Sequence, residues 1–170
     1  MSDNQTTEAA NPERFEVQRP IPATPESVFA VLCDPGGHVA IDASGMLISA
    51  TGEAVAAVDD KFVVHMDREA KGDVDLGKYD ATVRIVKFEQ DREIAWTVEG
   101  DLNIGHIYGY SLKPSDGGTL ATSYYDWSMI ADEWKQSGVF PVISDGGLKS
   151  TLGILERVLT TDAYEPPRRD

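Results

Sequence analysis

The run Gly147-Leu148-Lys149-Ser150-Thr151-Leu152-Gly153-Ile154-Leu155-Glu156-Arg157-Val158-Leu159 decides how this chain folds. Leu148, Leu152, Leu155 and Leu159 fall at i, i+4, i+7 and i+11, which places them in one stripe on an α-helix. Ile154 and Val158 widen the stripe, and Lys149, Glu156 and Arg157 lie off it. The helix is expected to start between residues 141 and 145, with Ser144 or Asp145 as its cap. A helix with one apolar face needs another surface to cover it, so the question becomes what precedes it.

What precedes it is β in texture. Short runs rich in Val, Ile, Thr and aromatic residues cover 46–51, 53–58, 61–66, 79–88, 94–98, 103–112 and 119–127. They are separated by turn chemistry: Gly52, Asp59-Asp60, Lys71-Gly72-Asp73, Gln90-Asp91-Arg92, Glu99-Gly100-Asp101 and Ser115-Asp116-Gly117-Gly118. Connections this short make antiparallel neighbours, because a parallel crossover takes about a dozen residues or more. Further out, 14–19 alternates polar and apolar as a half-buried strand does, and the prolines Pro20 and Pro22 are expected to end it. Thr24-Pro25-Glu26-Ser27 then opens a short helix: Thr24 caps, Pro25 suits the first helical position and Glu26 complements the dipole. Val28, Phe29, Val31 and Leu32 form its buried face, and Asp34-Pro35-Gly36-Gly37 is expected to stop it. A helical turn over 131–138 carries Trp134. Strands followed by one terminal helix, without β-α alternation, predict an α+β domain and exclude a doubly wound sheet. A long curled sheet closed by a single helix leaves its concave side partly unfilled, and a cavity follows.

The run Ile21-x-Ala23-x-Pro25-Glu26-x-Val28-Phe29-x-Val31-Leu32-x-Asp34-Pro35 resembles the first strand and helix of the START/polyketide-cyclase-like superfamily. Tyr110-x-Leu112-x-Pro114…Gly118-Thr119-x-Ala121-Thr122 resembles its sixth and seventh strands, and the leucine helix sits where that superfamily has its C-terminal helix. The resemblance spans roughly residues 14–162. It implies the helix-grip fold shared with pathogenesis-related plant allergens: a curved antiparallel sheet of about seven strands round a long C-terminal helix, with short helices after the first strand. It also implies a deep, apolar cavity between sheet and helix. Members include lipid carriers, hormone and quinone binders, chaperone activators and polyketide aromatase/cyclases, so the resemblance speaks to fold and transfers no catalytic residue. The domain is expected over 13–162, with residues 1–12 and 163–170 as flexible tails.

Composition narrows the partners. Twenty-nine acidic against fifteen basic residues give a net charge of −14. Nucleic-acid binding needs a basic footprint to displace counterions from phosphates, and anionic membranes ask for the same. Neither partner is expected. No stretch approaches the roughly 18–20 apolar residues of a membrane helix. The single cysteine, Cys33, allows no intramolecular disulfide, which fits a cytoplasmic protein. A monomer or homodimer is expected.

The candidate site follows from strand alternation. Residues His106, Tyr108, Tyr110 and Leu112 share one face, as do Ala121, Ser123, Tyr125 and Trp127 on the neighbouring strand. Small residues beside tyrosines leave room and supply hydroxyls, the composition of a pocket. Tyr79, Trp96, Leu152 and Leu155 complete the expected lining. His106 stands between two readings, a satisfied core histidine or a group that orients a carbonyl or acts as a base near pH 6.5. Asp126 points away from the cavity in a regular strand and into it if the strand bulges. His65 is expected at the surface or rim. His38, Asp42 and Ser44 evoke a hydrolase triad, but no Gly-x-Ser-x-Gly elbow is present, and a second helical turn capped by Asp42 or Ser44 explains them better. Three scattered histidines match no zinc spacing, Asp59-Asp60 and Asp73-x-Asp75 lack the rest of a calcium loop, and the glycine turns lack the Lys-Ser/Thr of a phosphate loop. No metal, nucleotide or other cofactor is expected. Three functions stay open: binding or transport of an apolar small molecule such as a lipid, polyketide or isoprenoid; a cyclase or dehydratase using His106 and the tyrosines; and a protein-interaction module of the chaperone-activator kind.

Overall fold

The computed structural model describes residues 13–70, 77–100, 103–161 and 164–165. The expected N-terminal tail, most of the C-terminal one and the acidic turn at 71–75 lie outside them. Chain order is β1 (Arg14–Ile21), α1 (Pro25–Cys33), α2 (Pro35–Ile41), β2 (Leu47–Thr51), β3 (Lys61–Asp67), a 3₁₀ turn (Arg68–Ala70), β4 (Lys78–Glu89), β5 (Glu93–Glu99), β6 (Ile107–Ser115), β7 (Gly118–Asp126), α3 (Asp132–Gln136) and α4 (Asp145–Thr160). The seven strands form one antiparallel sheet in the order β1-β7-β6-β5-β4-β3-β2. Tight turns join β4 to β5 and β6 to β7, and a longer connection over residues 100–106 joins β5 to β6. The two short helices carry the chain from one edge strand, β1, to the other, β2, while α4 packs on β1, β7 and α2.

Local chemistry places the helices. The Thr24 hydroxyl accepts the Ser27 amide at 3.1 Å, and Ser144 accepts that of Gly147 at 3.0 Å. In α4 the side chains of Leu148, Leu152, Leu155 and Val158 are buried, and Leu159 and Ile154 are partly so. Burying each large aliphatic side chain is worth about 1.5–3 kcal/mol, so this stripe is what holds the helix on the sheet. On the sheet side, Phe62, Val64, Val83, Ile85, Ile94, Leu112 and Ala121 belong to the same buried core cluster as the apolar faces of α1 and α4.

Four expectations change. Pro20 does not end β1, which continues to Ile21 paired with Thr119. An edge strand needs only half of its amides for the ladder, so proline is tolerated there. Asp34-Pro35-Gly36-Gly37 ends α1 but also opens α2, with Pro35 at the position where a missing N–H costs nothing. Residues 53–58 form no strand: Val55 is buried and gives its N–H to the Cys33 carbonyl, and the Asp60 carboxylate accepts the amides of Ala56 and Ala57. The segment docks on α1 in place of joining the sheet. Strand β6 begins at Ile107, four residues later than expected, because Gly105 at φ +91° turns the chain out of the extended region.

Candidate functional site

Register assembles the aromatic residues. Trp96 on β5 lies opposite Tyr108 on β6, Tyr108 opposite Tyr125 on β7, and Tyr125 opposite Phe15 on β1. Four neighbouring strands thus contribute one residue each to a row across the inner face. Ring centroids stand 6.2 Å apart for Trp96 and Tyr108 and 4.8 Å for Tyr108 and Tyr125. Trp127 stacks on Tyr125 at 5.4 Å and meets Phe15 edge-on at 4.9 Å. Such pairs add about 0.5–1.5 kcal/mol each beyond the area they bury. At the other end of the row, Trp96 meets His38 edge-on at 4.6 Å.

His106, just before β6, is the polar centre of this end. It is 7% exposed, and its Nδ1 lies 2.6 Å from the hydroxyl of the fully buried Tyr125. The backbone N–H of Val142 also reaches that hydroxyl. The rings of Tyr108 and Phe140 stand edge-on to the imidazole at 5.3 and 5.4 Å. Burial lowers the His106 pKa to about 4, so it does not titrate near 6.5 and is a weak base at neutral pH. Burial likewise raises the hydroxyl pKa values of Tyr108 and Tyr125, which stay protonated. Tyr79, half-buried on β4, and Arg68 in the 3₁₀ turn are within electrostatic reach of the Tyr108 hydroxyl.

The expected lining therefore divides in two. Tyr79, Trp96, His106, Tyr108, Tyr125 and Trp127 gather at the end of the sheet where β6 starts and β7 finishes. Tyr110, Ala121, Ser123, Leu152 and Leu155 sit deeper, all 5% exposed or less and part of the close-packed core. Tyr110 stacks on Trp96 at 5.9 Å, and its hydroxyl, pushed up to about 12 by burial, hydrogen-bonds Ser123. Phe140, Val142 and Phe15 join the aromatic end without having been expected there. The apolar run Val139-Phe140-Pro141-Val142-Ile143, unusual for a connection, is the signal that could have found the first two. A cavity of about 320 Å³ lies at the opposite end of the strands, lined by Glu26, Phe29, Ala30, Asp34, Ala54, Gln90 and Asp91.

The remaining candidates separate cleanly. His38 is buried, donates from Nε2 to the Leu32 carbonyl at 2.8 Å and does not face Asp42 or Ser44. Asp42 instead caps its own loop, accepting from the Ser44 amide and hydroxyl and from the Leu47 amide. No triad forms. His65 lies on the outer face between Thr51 and Asp80, at 2.7 and 2.8 Å. Strand β7 runs without a bulge to Asp126, which turns outward to Arg14 and Ser128. Among the described residues no group of three or more His, Cys, Asp or Glu is placed to hold a metal ion, and no helix is long and apolar enough to cross a membrane.

No family model and no curated protein matches this sequence. Solved structures do. A protein from Rhodobacter sphaeroides superimposes with a TM-score of 0.62 at 16% identity, over 89% of this chain and 95% of that one. An AHSA1-like protein from Aeromonas hydrophila gives 0.57 at 15%, over 92% and 99%. The Aha1 dimer from Colwellia psychrerythraea gives 0.55 at 14%, over 86% and 95%. At these identities the likeness is one of fold, and the seven-stranded sheet gripping its C-terminal helix is the helix-grip fold.

Proposed function

We propose that this protein binds a small, flat, largely apolar molecule at the aromatic end of the sheet. The supporting observation is the row Phe15, Tyr125, Tyr108 and Trp96, drawn from four strands and joined there by His106 and Phe140. Stacked rings with few, fixed polar atoms suit an aromatic ligand, whose faces pair with tyrosine and tryptophan rings. The segment 127–144 covers this end. It is anchored by Lys135, which bonds Glu13 and the Ser128 carbonyl, and by Val142 on Tyr125.

Turnover by a cyclase-type mechanism draws less support. Such chemistry asks for a base poised near neutral pH, and His106 lies at about 4 with Nδ1 already engaged. The test is a thermal-shift series with substituted naphthalenes and fatty acids, paired with tryptophan fluorescence. Trp96 stands in the row and Trp127 stacks on its Tyr125, so both report on it directly. Binding raises the melting temperature and quenches fluorescence saturably. If no apolar compound does either, the proposal fails.

A further inference from the structure

We infer that Thr51 and His65, with Asp80 positioning the imidazole, form a separate site on the outer face that hydrolyses small activated esters through an acyl-Thr51 intermediate. This site stands apart from the aromatic end and does not depend on the binding function proposed above.

The three side chains lie in the order that general-base activation of a hydroxyl needs. The Thr51 hydroxyl is 2.7 Å from Nε2 of His65, and Nδ1 of the same ring is 2.8 Å from the Asp80 carboxylate. A carboxylate only accepts, so the proton of the second bond sits on Nδ1. With the ring neutral, Nε2 offers a lone pair and the Thr51 hydroxyl donates to it. Thr51 is exposed, and the His65 and Asp80 side chains are 35% and 66% exposed. Substrate and water therefore reach all three without any part of the fold moving.

Strand geometry builds the alignment. Asp80 lies directly opposite His65, while Thr51 lies opposite Val63 and so diagonally from His65. Leu47 and Ala50 both pack on the core, although strict alternation puts residues three apart on opposite faces. The bulge between Leu47 and Ser49 absorbs Ile48 and turns Thr51 outward to the imidazole.

In the reaction the Thr51 oxygen attacks the ester carbonyl carbon as its proton passes to Nε2. The carbon–oxygen bond to the alcohol breaks, and the alcohol leaves with that proton. Water, deprotonated by the same nitrogen, then cleaves the acyl-Thr51 ester, which releases the carboxylic acid and restores the hydroxyl. Exposed Ile48 and the Val63 side chain opposite Thr51 give the site a small apolar surface, suited to a short acyl chain. Water stabilises the oxyanion at so open a surface, so the ester needs a good leaving group.

The experiment follows hydrolysis of p-nitrophenyl acetate by the full chain and maps the acetyl adduct by mass spectrometry after acid quench. The inference expects turnover with acetyl on Thr51, and about a hundredfold loss in Thr51→Val and in His65→Gln. Thr51→Ser keeps the activity, as does Ser49→Ala, which removes the other hydroxyl opposite His65. Asp80→Asn presents an amide donor to Nδ1 and moves the ring proton to Nε2, so kcat falls with KM unchanged, and Asp80→Glu keeps most of the rate. Full activity in T51V, or an adduct on His65 in place of Thr51, overturns the inference and leaves an ordinary surface imidazole. Hydrolysis no faster than by free imidazole at equal concentration overturns it as well. The adduct and that comparison are read on the unmodified protein, so they decide even if a variant misfolds.

Discussion

Nε2 of His38 donates to the carbonyl of Leu32 across 2.8 Å, tying α2 back onto the last turns of α1. The imidazole is buried against Phe62 and Trp96, and desolvation lowers its pKa to about 4, as it does for His106. The ordinary value, retained in the unfolded chain, is about 6.5. Between these two values the unfolded chain binds protons that the folded chain refuses. Stability therefore rises with pH across this window and is lost as pH falls from about 6.5 towards 4. Each histidine contributes on the order of 3 kcal/mol to that change. Urea midpoints taken from pH 7 to pH 4 are expected to drop, and to drop less steeply in His106→Phe. Parallel profiles for the two proteins would contradict this account.

Removing the Tyr125 hydroxyl isolates the polar core of the aromatic end. Tyr125→Phe leaves Nδ1 of His106 and the Val142 amide without their shared partner. An unmet buried group costs about 1–3 kcal/mol, and the ring itself still packs. Chemical denaturation should record a loss in that range. A neutral result would mean that water replaces the hydroxyl.

Leu155 is fully buried on α4, in the core that contains Tyr110, Ala121 and Leu152. Leu155→Ala should cost about 2–5 kcal/mol through lost burial and the void left behind. A thermal melt checks it, and a loss under about 1 kcal/mol would show that the interior around α4 collapses to fill the gap.

Gly109 faces Tyr124 across β6 and β7, and a Cβ there would overlap the tyrosine ring. That ring lies under the Arg14 guanidinium at 4.3 Å and donates its hydroxyl to Glu93 at 2.6 Å. It cannot move without giving up both contacts. Gly109→Ala is expected to destabilise by about 1–3 kcal/mol, as overpacking does. Pairing it with Tyr124→Ala should recover part of that loss, which a double-mutant cycle measures.

On the outer face, the Thr51–His65–Asp80 chain crosses three strands in partly exposed surroundings. Exposed pairs of this kind contribute about 0–1 kcal/mol. His65→Ala should therefore leave the urea midpoint nearly unchanged, and a large drop would assign this chain a structural weight that its exposure argues against.

Much of the fold was legible because it depends on local periodicity. The 3.6-residue spacing of Leu148, Leu152 and Leu155, the Thr24-Pro25 helix start and the alternation through Tyr108, Tyr110 and Leu112 each need only near neighbours in sequence. Residues 53–58 misled for the same reason. Their pattern suits a strand, but Val55 found its partner in Cys33, a contact that alternation does not encode.

The site divides along that line. Sequence alternation by itself put Tyr108 and Tyr110 on one face of β6 and Ser123 and Tyr125 on one face of β7, since a strand offers only two faces. His106, by contrast, lies just outside β6 and owes its position to the turn at Gly105. Only the tertiary structure decided that Tyr108, Tyr125 and Trp96 share a row, that Tyr110 and Ser123 close on each other, and that Phe140 and Val142 reach His106. Register and the path of a connection set these outcomes. They depend on residues distant in sequence coming within a few ångströms, and it is this crowding that withdraws water from His106 and orders the hydrogen bond it makes.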